Sequence, residues 1–208
     1  MRVFTLLFFL WFAGGGHAND LQWQALAKKH KMALLGTELI GETACSEWFN
    51  IEGGSAKALL KALEYLSEFS KHPELNEVPW ALWGHSGGAY WCTDILFEYP
   101  EKVLCAIPRS GGQAFTMLWN PSVKQVPVLW MAGEKDLVDG FDYVREMTKK
   151  SFHSYRRYGA IWSAAIDPIA DHGNKEGRSY AIRWMDVVLT MRLPNSGNKP
   201  VQLDSNTH

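Results

Sequence analysis

The chain has few cysteines. Cys45, Cys92 and Cys105 are its three. Three thiols cannot build a disulfide scaffold, and none of them stands at the close spacing of a zinc knuckle. They are expected as small buried hydrophobes. An excess of charge is missing as well: 21 Lys and Arg face 22 Asp and Glu, a formal net charge of −1. No global basic field exists to attract nucleic acid or an anionic membrane. The chain shows no internal repeat, no low-complexity tract and no interdomain linker. The apolar stretch Val3–Ala13 is eleven residues long, whereas a bilayer span needs about 20, so no integral membrane segment is expected. With 47% hydrophobic and 21% charged residues, the composition is that of a folded chain and excludes collagen and disorder. A chain of 208 residues is long enough for one self-sufficient domain that buries about 70% of its surface. That domain is expected over residues 1–193, with 194–208 as a C-terminal tail. Nothing in the sequence specifies an oligomeric state.

The N-terminus has two readings. Met1–Ala18 (MRVFTLLFFLWFAGGGHA) has one basic residue, then an apolar run, then small residues. That is the shape of a secretory signal with a cut after Ala18, and it would place the mature chain in the periplasm or outside the cell. Alternatively, Val3–Phe12 is a strand buried on both faces, and Gly14-Gly15-Gly16 is a flexible loop. Asn19 or Asp20 then caps a helix from Leu21 to about His30, whose end carries Lys28, Lys29 and Lys31 where the dipole favours positive charge. The strand reading is favoured, and it implies a cytoplasmic protein.

Further along, apolar runs alternate with amphipathic stretches. Strands are expected at Met32–Gly36, Pro79–Trp83, Lys102–Pro108, Val126–Ala132 and Ala160–Ala165. Helices are expected from Ser55 to His72, from Gly87 to Tyr99, over Phe141–Phe152 and from about Arg178 to Arg192. The first of these helices has Leu59, Ala62, Leu63, Leu66 and Phe69 at helical spacing. The last has Ala181, Met185, Val188 and Leu189 facing inward. Thr37–Gly54 has no clean period and reads as a surface excursion. The alternation indicates an α/β domain with a mostly parallel sheet flanked by helices. The ten tryptophans are expected mainly as core and pocket-wall packing, with an aromatic binding cleft as the alternative.

Gly84-His85-Ser86-Gly87-Gly88 fits G-x-S-x-G. Its context fits too, with a strand leading in and a helix leading out. A nucleophile elbow needs glycines because its serine sits on a sharp, strained turn. The turn lifts the Ser86 hydroxyl above the sheet and aims the first amides of the helix at a developing oxyanion. A serine needs a base, and the base needs an orienting acid. Asp136 lies just past Val126–Ala132 and is the leading acid. Glu134 is its rival, and Asp139 and Asp142 follow. Among seven histidines, His172 in Asp171-His172-Gly173-Asn174 is the leading base. His153 reads as a surface histidine at a helix end. His85 adjoins the nucleophile but is expected to point elsewhere.

GHSGG after PWALW, VPVLWMAGEKD, and ADHG before a terminal helix together resemble the α/β-hydrolase superfamily. They resemble more closely its bacterial esterase and polyhydroxyalkanoate-depolymerase-like branch. DLQWQALAKKHKMALLG is similar to the first helix and following strand of that branch. The resemblance covers roughly Val3 to Leu193 and implies an α/β-hydrolase fold lacking the first edge strands. It implies Ser86 as nucleophile, Asp136 as orienting acid and His172 as base, with no cofactor and no metal. It also implies an oxyanion loop at Phe12–Gly16, where Ala13 replaces the family's histidine; Gly15 and Gly87 are the expected amide donors. The implied activity is hydrolysis of a small-molecule or polymeric carboxylic ester. A peptidase or thioesterase on the same fold is the alternative, as is a non-catalytic relic acting as a binding protein. Substrate choice is expected to reside in Thr37–Gly54 and Gln113–Lys124.

Overall fold

A computed structural model of the chain describes residues 5–10, 15–38, 48–137, 143–173 and 177–203. Six strands form one sheet: β1 (Thr5–Leu10), β2 (Met32–Gly36), β3 (Trp80–His85), β4 (Val103–Arg109), β5 (Val128–Lys135) and β6 (Trp162–Asp171). Every pairing is parallel, in the order β2-β1-β3-β4-β5-β6. Parallel neighbours require crossovers. Four of the five are supplied by α2 (Leu21–His30), α3 (Ser55–Ser70), α4 (Gly87–Glu98) and α5 (Val144–Arg156); β4 reaches β5 through two short 3-10 turns, Ala114–Thr116 and Pro121–Gln125, and α6 (Gly177–Arg192) follows β6. The short turn α1 (Gly15–Ala18) lies between β1 and α2.

Period-two alternation divides the strands between two cores. Leu6, Phe8, Trp80, Leu82, Val128 and Trp130 face one side, where α3 and α4 pack. Leu7, Phe9, Ala81, Trp83, Leu129 and Met131 face the other, against α2 and α6. A register shift between Trp80 and Ala81 leaves Leu104 unpaired with β3. Leu104 and Cys105 therefore point to the same core, as a bulge requires. Burial on both faces accounts for continuous apolar runs such as LLFF in β1. Cys92 and Cys105 are buried free thiols; Cys45 lies outside the described residues. Trp23, Trp48, Trp80, Trp83, Trp91, Trp130 and Trp162 are buried, as the packing reading expects.

Asp20 caps α2 by accepting hydrogen bonds from the Gln22 and Trp23 amides. Three expectations need correction. Gly15 and Gly16 open the helical turn α1 instead of a flexible loop; the turn sets His17 against Phe9 and Trp83, and Gly14 lies outside the described residues. In α3 the buried face runs through Ala56, Leu59, Leu63 and Ser67, while Ala62 and Phe69 are exposed. Ser67 tolerates burial because its hydroxyl donates to the Glu64 carbonyl and accepts from Asn76. Phe69 instead stacks on Tyr65 at the surface. Finally, β6 continues to Asp171, six residues past the expected Ala165. It is an edge strand with mixed burial and contains Pro168, which an edge accepts, so its apolar pattern is faint.

Candidate active site

The strand ends position the site. Ser86 follows β3 at φ 54°, ψ −122°, a conformation that a side chain rarely adopts and that is typical of the strained elbow. Its amide donates to the Arg109 carbonyl (3.0 Å) and its carbonyl accepts from Ala89 (2.9 Å), which locks the turn. Glycine at 84 is obligatory, because a Cβ there would lie 2.1 Å from the Gly88 carbonyl oxygen. Two strands away, Lys135 of β5 pairs with Asp171 of β6. That register brings the next residue of each strand, Asp136 and His172, to neighbouring positions at the same edge of the sheet.

The three side chains form a hydrogen-bonded chain. His172 Nδ1 lies 2.7 Å from Asp136 Oδ1, and His172 Nε2 lies 3.0 Å from Ser86 Oγ. The carboxylate can only accept, so Nδ1 carries the proton and Nε2 is the acceptor for the Ser86 hydroxyl. Asp136 is fully buried. Burial alone would raise its pKa, but the hydrogen bond from His172, with the Ser110 hydroxyl and the His172 and His85 rings close by, holds it below the ordinary value. It therefore stays ionised opposite the imidazole. The Ser110 hydroxyl and Asp136 Oδ2 are buried together, outside standard hydrogen-bond geometry.

The rivals lie elsewhere. Glu134 is exposed and ion-paired to Arg145 at 2.6 Å. His153 is exposed on α5 beside Phe152. Asp139 and Asp142 lie outside the described residues. Gly87 opens α4, where the first amides have no intrahelical acceptor. Gly15 opens α1, just beyond β1, whose Leu10 pairs with Gly84 ahead of the elbow.

His85 is the residue that reasoning from sequence misplaced. It does not point away from the site: its ring centre is 4.9 Å from that of His172, and its Nε2–H donates to the His172 carbonyl at 2.7 Å. Its pKa is lowered to about 3, first by burial and then by the Arg109 and His172 charges. Arg109, buried at the end of β4, has its own pKa lowered by burial, against the opposing charges of Asp136, Asp167 and Asp171. The missed signal is the β3–β4 register, which pairs His85 with Arg109.

This buried neutral histidine predicts acid sensitivity. Unfolded, His85 takes a proton near 6.5; folded, only near 3. Between these values the unfolded state holds the extra proton, so stability falls as pH falls, by about 1.4 kcal/mol per pH unit. Asp94, raised to about 6 mainly by burial, works in the opposite sense. The measurement is therefore a difference: urea midpoints of the wild type and His85→Asn from pH 7 to 4. The wild type is expected to lose more stability than the variant; parallel curves would contradict the assignment.

A groove of about 720 Å³ runs along α4 from Tyr90, lined among others by Phe49, Asp94, Gln113, Met117 and Trp119 and by none of Ser86, Asp136 and His172. It takes walls from both segments expected to govern substrate choice. Tyr90 is one helical turn beyond Ser86, and a Cβ on Gly111 would lie 2.6 Å from the Ser86 carbonyl oxygen, so Gly111 packs directly against the elbow. Among the described residues, no group of three or more His, Cys, Asp or Glu is placed to hold a metal ion. No described helix is long and apolar enough to cross a membrane.

A six-stranded parallel sheet, a strained serine between β3 and α4, and an acid and a histidine beyond β5 and β6 decide the architecture. The fold is that of the α/β-hydrolases. Among solved structures, Arabidopsis thaliana SOBER1 superposes with a TM-score of 0.57 at 13% identity, covering 91% of this chain and 98% of that one. Esterase PE8 gives 0.60 at 14% identity, covering 90% and 93%. Pyrococcus horikoshii acylaminoacyl peptidase gives 0.63 at 13% identity, covering 92% of this chain and 38% of the peptidase. No family model matches the chain, and no curated protein matches it in sequence. The likeness to known α/β-hydrolases is thus one of fold.

Proposed function

We propose that this α/β-hydrolase-fold chain is a serine hydrolase of carboxylic esters. The observation that carries the reading is the continuous hydrogen-bonded chain from Asp136 through His172 to Ser86, in a site where the serine is backbone-strained and the acid fully buried. The ester is the bond named by the esterases among the structural neighbours, which also include an acylaminoacyl peptidase.

His172 Nε2 takes the Ser86 proton as Oγ attacks the ester carbonyl, and the carbonyl π pair moves onto oxygen. The amides of Gly87 and Gly15 bind that oxyanion; each such donor contributes about 10²–10³ in rate. Collapse re-forms the carbonyl and breaks the bond to the alcohol, which leaves with the proton from His172. Water, deprotonated by His172, then attacks the acyl-serine; collapse breaks the bond to Oγ, which takes the proton back from His172, and the acid is released. Asp136 holds the tautomer throughout and stabilises the imidazolium without taking its proton. The groove beside Tyr90 and Gln113 receives one arm of the ester.

A fluorophosphonate probe should label Ser86 in the folded protein, and no labelling would overturn the reading. Nitrophenyl acyl esters, an acyl-CoA and a peptide amide assayed side by side should rank the ester first. A preference for amide or thioester would move the chain to a peptidase or thioesterase.

A further inference from the structure

The near-zero net charge hides a local segregation. Residues 144–157 hold Arg145, Lys149, Lys150, Arg156 and Arg157 against Glu146 alone. Glu146 pairs with Arg145 and Lys149, and Arg145 also with Glu134. That leaves Lys150, Arg156 and Arg157 exposed on the second half of α5 and its cap. Arg156 donates to the Ala160 carbonyl, and the Arg157 guanidinium lies 4.8 Å over the Tyr158 ring.

Next to this basic face the loop 113–120 presents large apolar side chains to water. Phe115 is 39% exposed, Leu118 92% and Trp119 51%, and Tyr158, also 51% exposed, meets the Trp119 ring at 5.0 Å. Phe115 shares one shallow depression with Glu146, Lys149, Lys150, His153 and Arg157, so the two features form one continuous surface. The loop is held in place. Trp119 stacks on Tyr155 at 4.7 Å, the Asn120 amide donates to the Tyr155 hydroxyl at 2.9 Å, and the Asn120 side chain donates to the Phe97 carbonyl.

We propose that this surface docks the protein on an anionic lipid surface. Phe115, Leu118 and Trp119 enter the boundary between headgroups and acyl chains, Tyr158 lies at headgroup level, and Lys150 and Arg157 meet lipid phosphates. Leu118 and Trp119 need no shaped receptor in hydrocarbon, whereas an acidic protein would have to supply a matching pocket. Aromatic and aliphatic side chains ringed by Lys and Arg are the combination that interfacial binding uses. Glu52, Asp94 and Glu98 line the groove, whereas the carboxylate that lines the α5 depression, Glu146, is paired with Arg145 and Lys149. The lipid contact therefore falls on the α5 side. Docking of this kind does not depend on the hydrolase reading.

The test is co-sedimentation of the full chain with phosphatidylcholine vesicles, with and without phosphatidylglycerol. Binding is expected only with phosphatidylglycerol, and raised salt should weaken it. Each basic residue at the surface contributes about fivefold, so Lys150→Glu with Arg157→Glu should lower partitioning by about 25-fold or more. Leu118→Asp should lower it by about tenfold or more. Lys57→Glu with Lys61→Glu, on exposed positions of α3, should leave it unchanged. No binding at low salt, equal binding to neutral vesicles, or equal loss in the α3 variant would overturn the proposal. Failure of all vesicles alongside saturable binding to an acidic polypeptide would do the same. Because the readout is sedimentation, a protein that binds vesicles but cleaves no ester, or the reverse, separates this proposal from the proposed activity.

Discussion

Ser86→Ala is expected to lower ester turnover by about 10⁶-fold while leaving the fold intact. The magnitude is that of a nucleophile acting as one unit with its base, where loss of either removes the covalent route. Residual hydrolysis would come from oxyanion donors and binding alone, about 10³–10⁴ above water. Alanine removes only the hydroxyl, and Ser86 is held by backbone bonds to Arg109 and Ala89, so stability should change little. Steady-state kinetics on an activated ester, with circular dichroism as the fold control, checks this. Turnover unchanged by the substitution would identify a non-catalytic relic of a hydrolase, and the hydrogen-bonded chain would then be without chemical consequence.

Removal of residues 1–18 is expected to abolish soluble expression. The deletion takes away β1, which pairs with β2 on one side and β3 on the other. Leu6, Leu7, Phe8 and Phe9 are at most 2% exposed. Burying each contributes about 1.5–3 kcal/mol, so the four together are worth about 6–12 kcal/mol. That matches the whole stability of an ordinary domain, about 5–15 kcal/mol, before the lost ladder bonds are counted. The comparison is soluble yield and thermal unfolding of the full chain against a chain starting at Asn19. A stable, ester-cleaving chain from Asn19 would show β1 to be dispensable and would remove Gly15 from the oxyanion site. Ser86, Asp136 and His172 would be untouched, since they follow other strands.

Local pattern by itself determined much of this protein. Strands buried on both faces read as continuous apolar runs, so β2 and the cores of β1, β3, β4 and β5 are visible in the chain. Asp20 and Leu21 mark the start of α2, and the Gly84–Gly88 motif marks the elbow, because capping and sharp turns demand particular residues at particular offsets. Ser86 and Asp136 were nameable as candidates because each follows a strand end that the apolar pattern locates, and His172 because it stands in a polar turn before the last helix. Other features depend on which strand lies beside which. The edge position of β6 lets its pattern fade into polar residues and hides its last six positions. The β5–β6 register, not any feature of Asp136 itself, sets it rather than Glu134 against His172: the pairing is irregular between Gly133 and Lys135, where Glu134 lies, and it is the residue beyond Lys135 that meets the one beyond Asp171. His85 became a support of the His172 backbone only when β4 brought Arg109 alongside and burial removed its charge. The segregation of apolar and basic side chains around Trp119 and Arg157 joins segments nearly forty residues apart, and no window along the chain contains both.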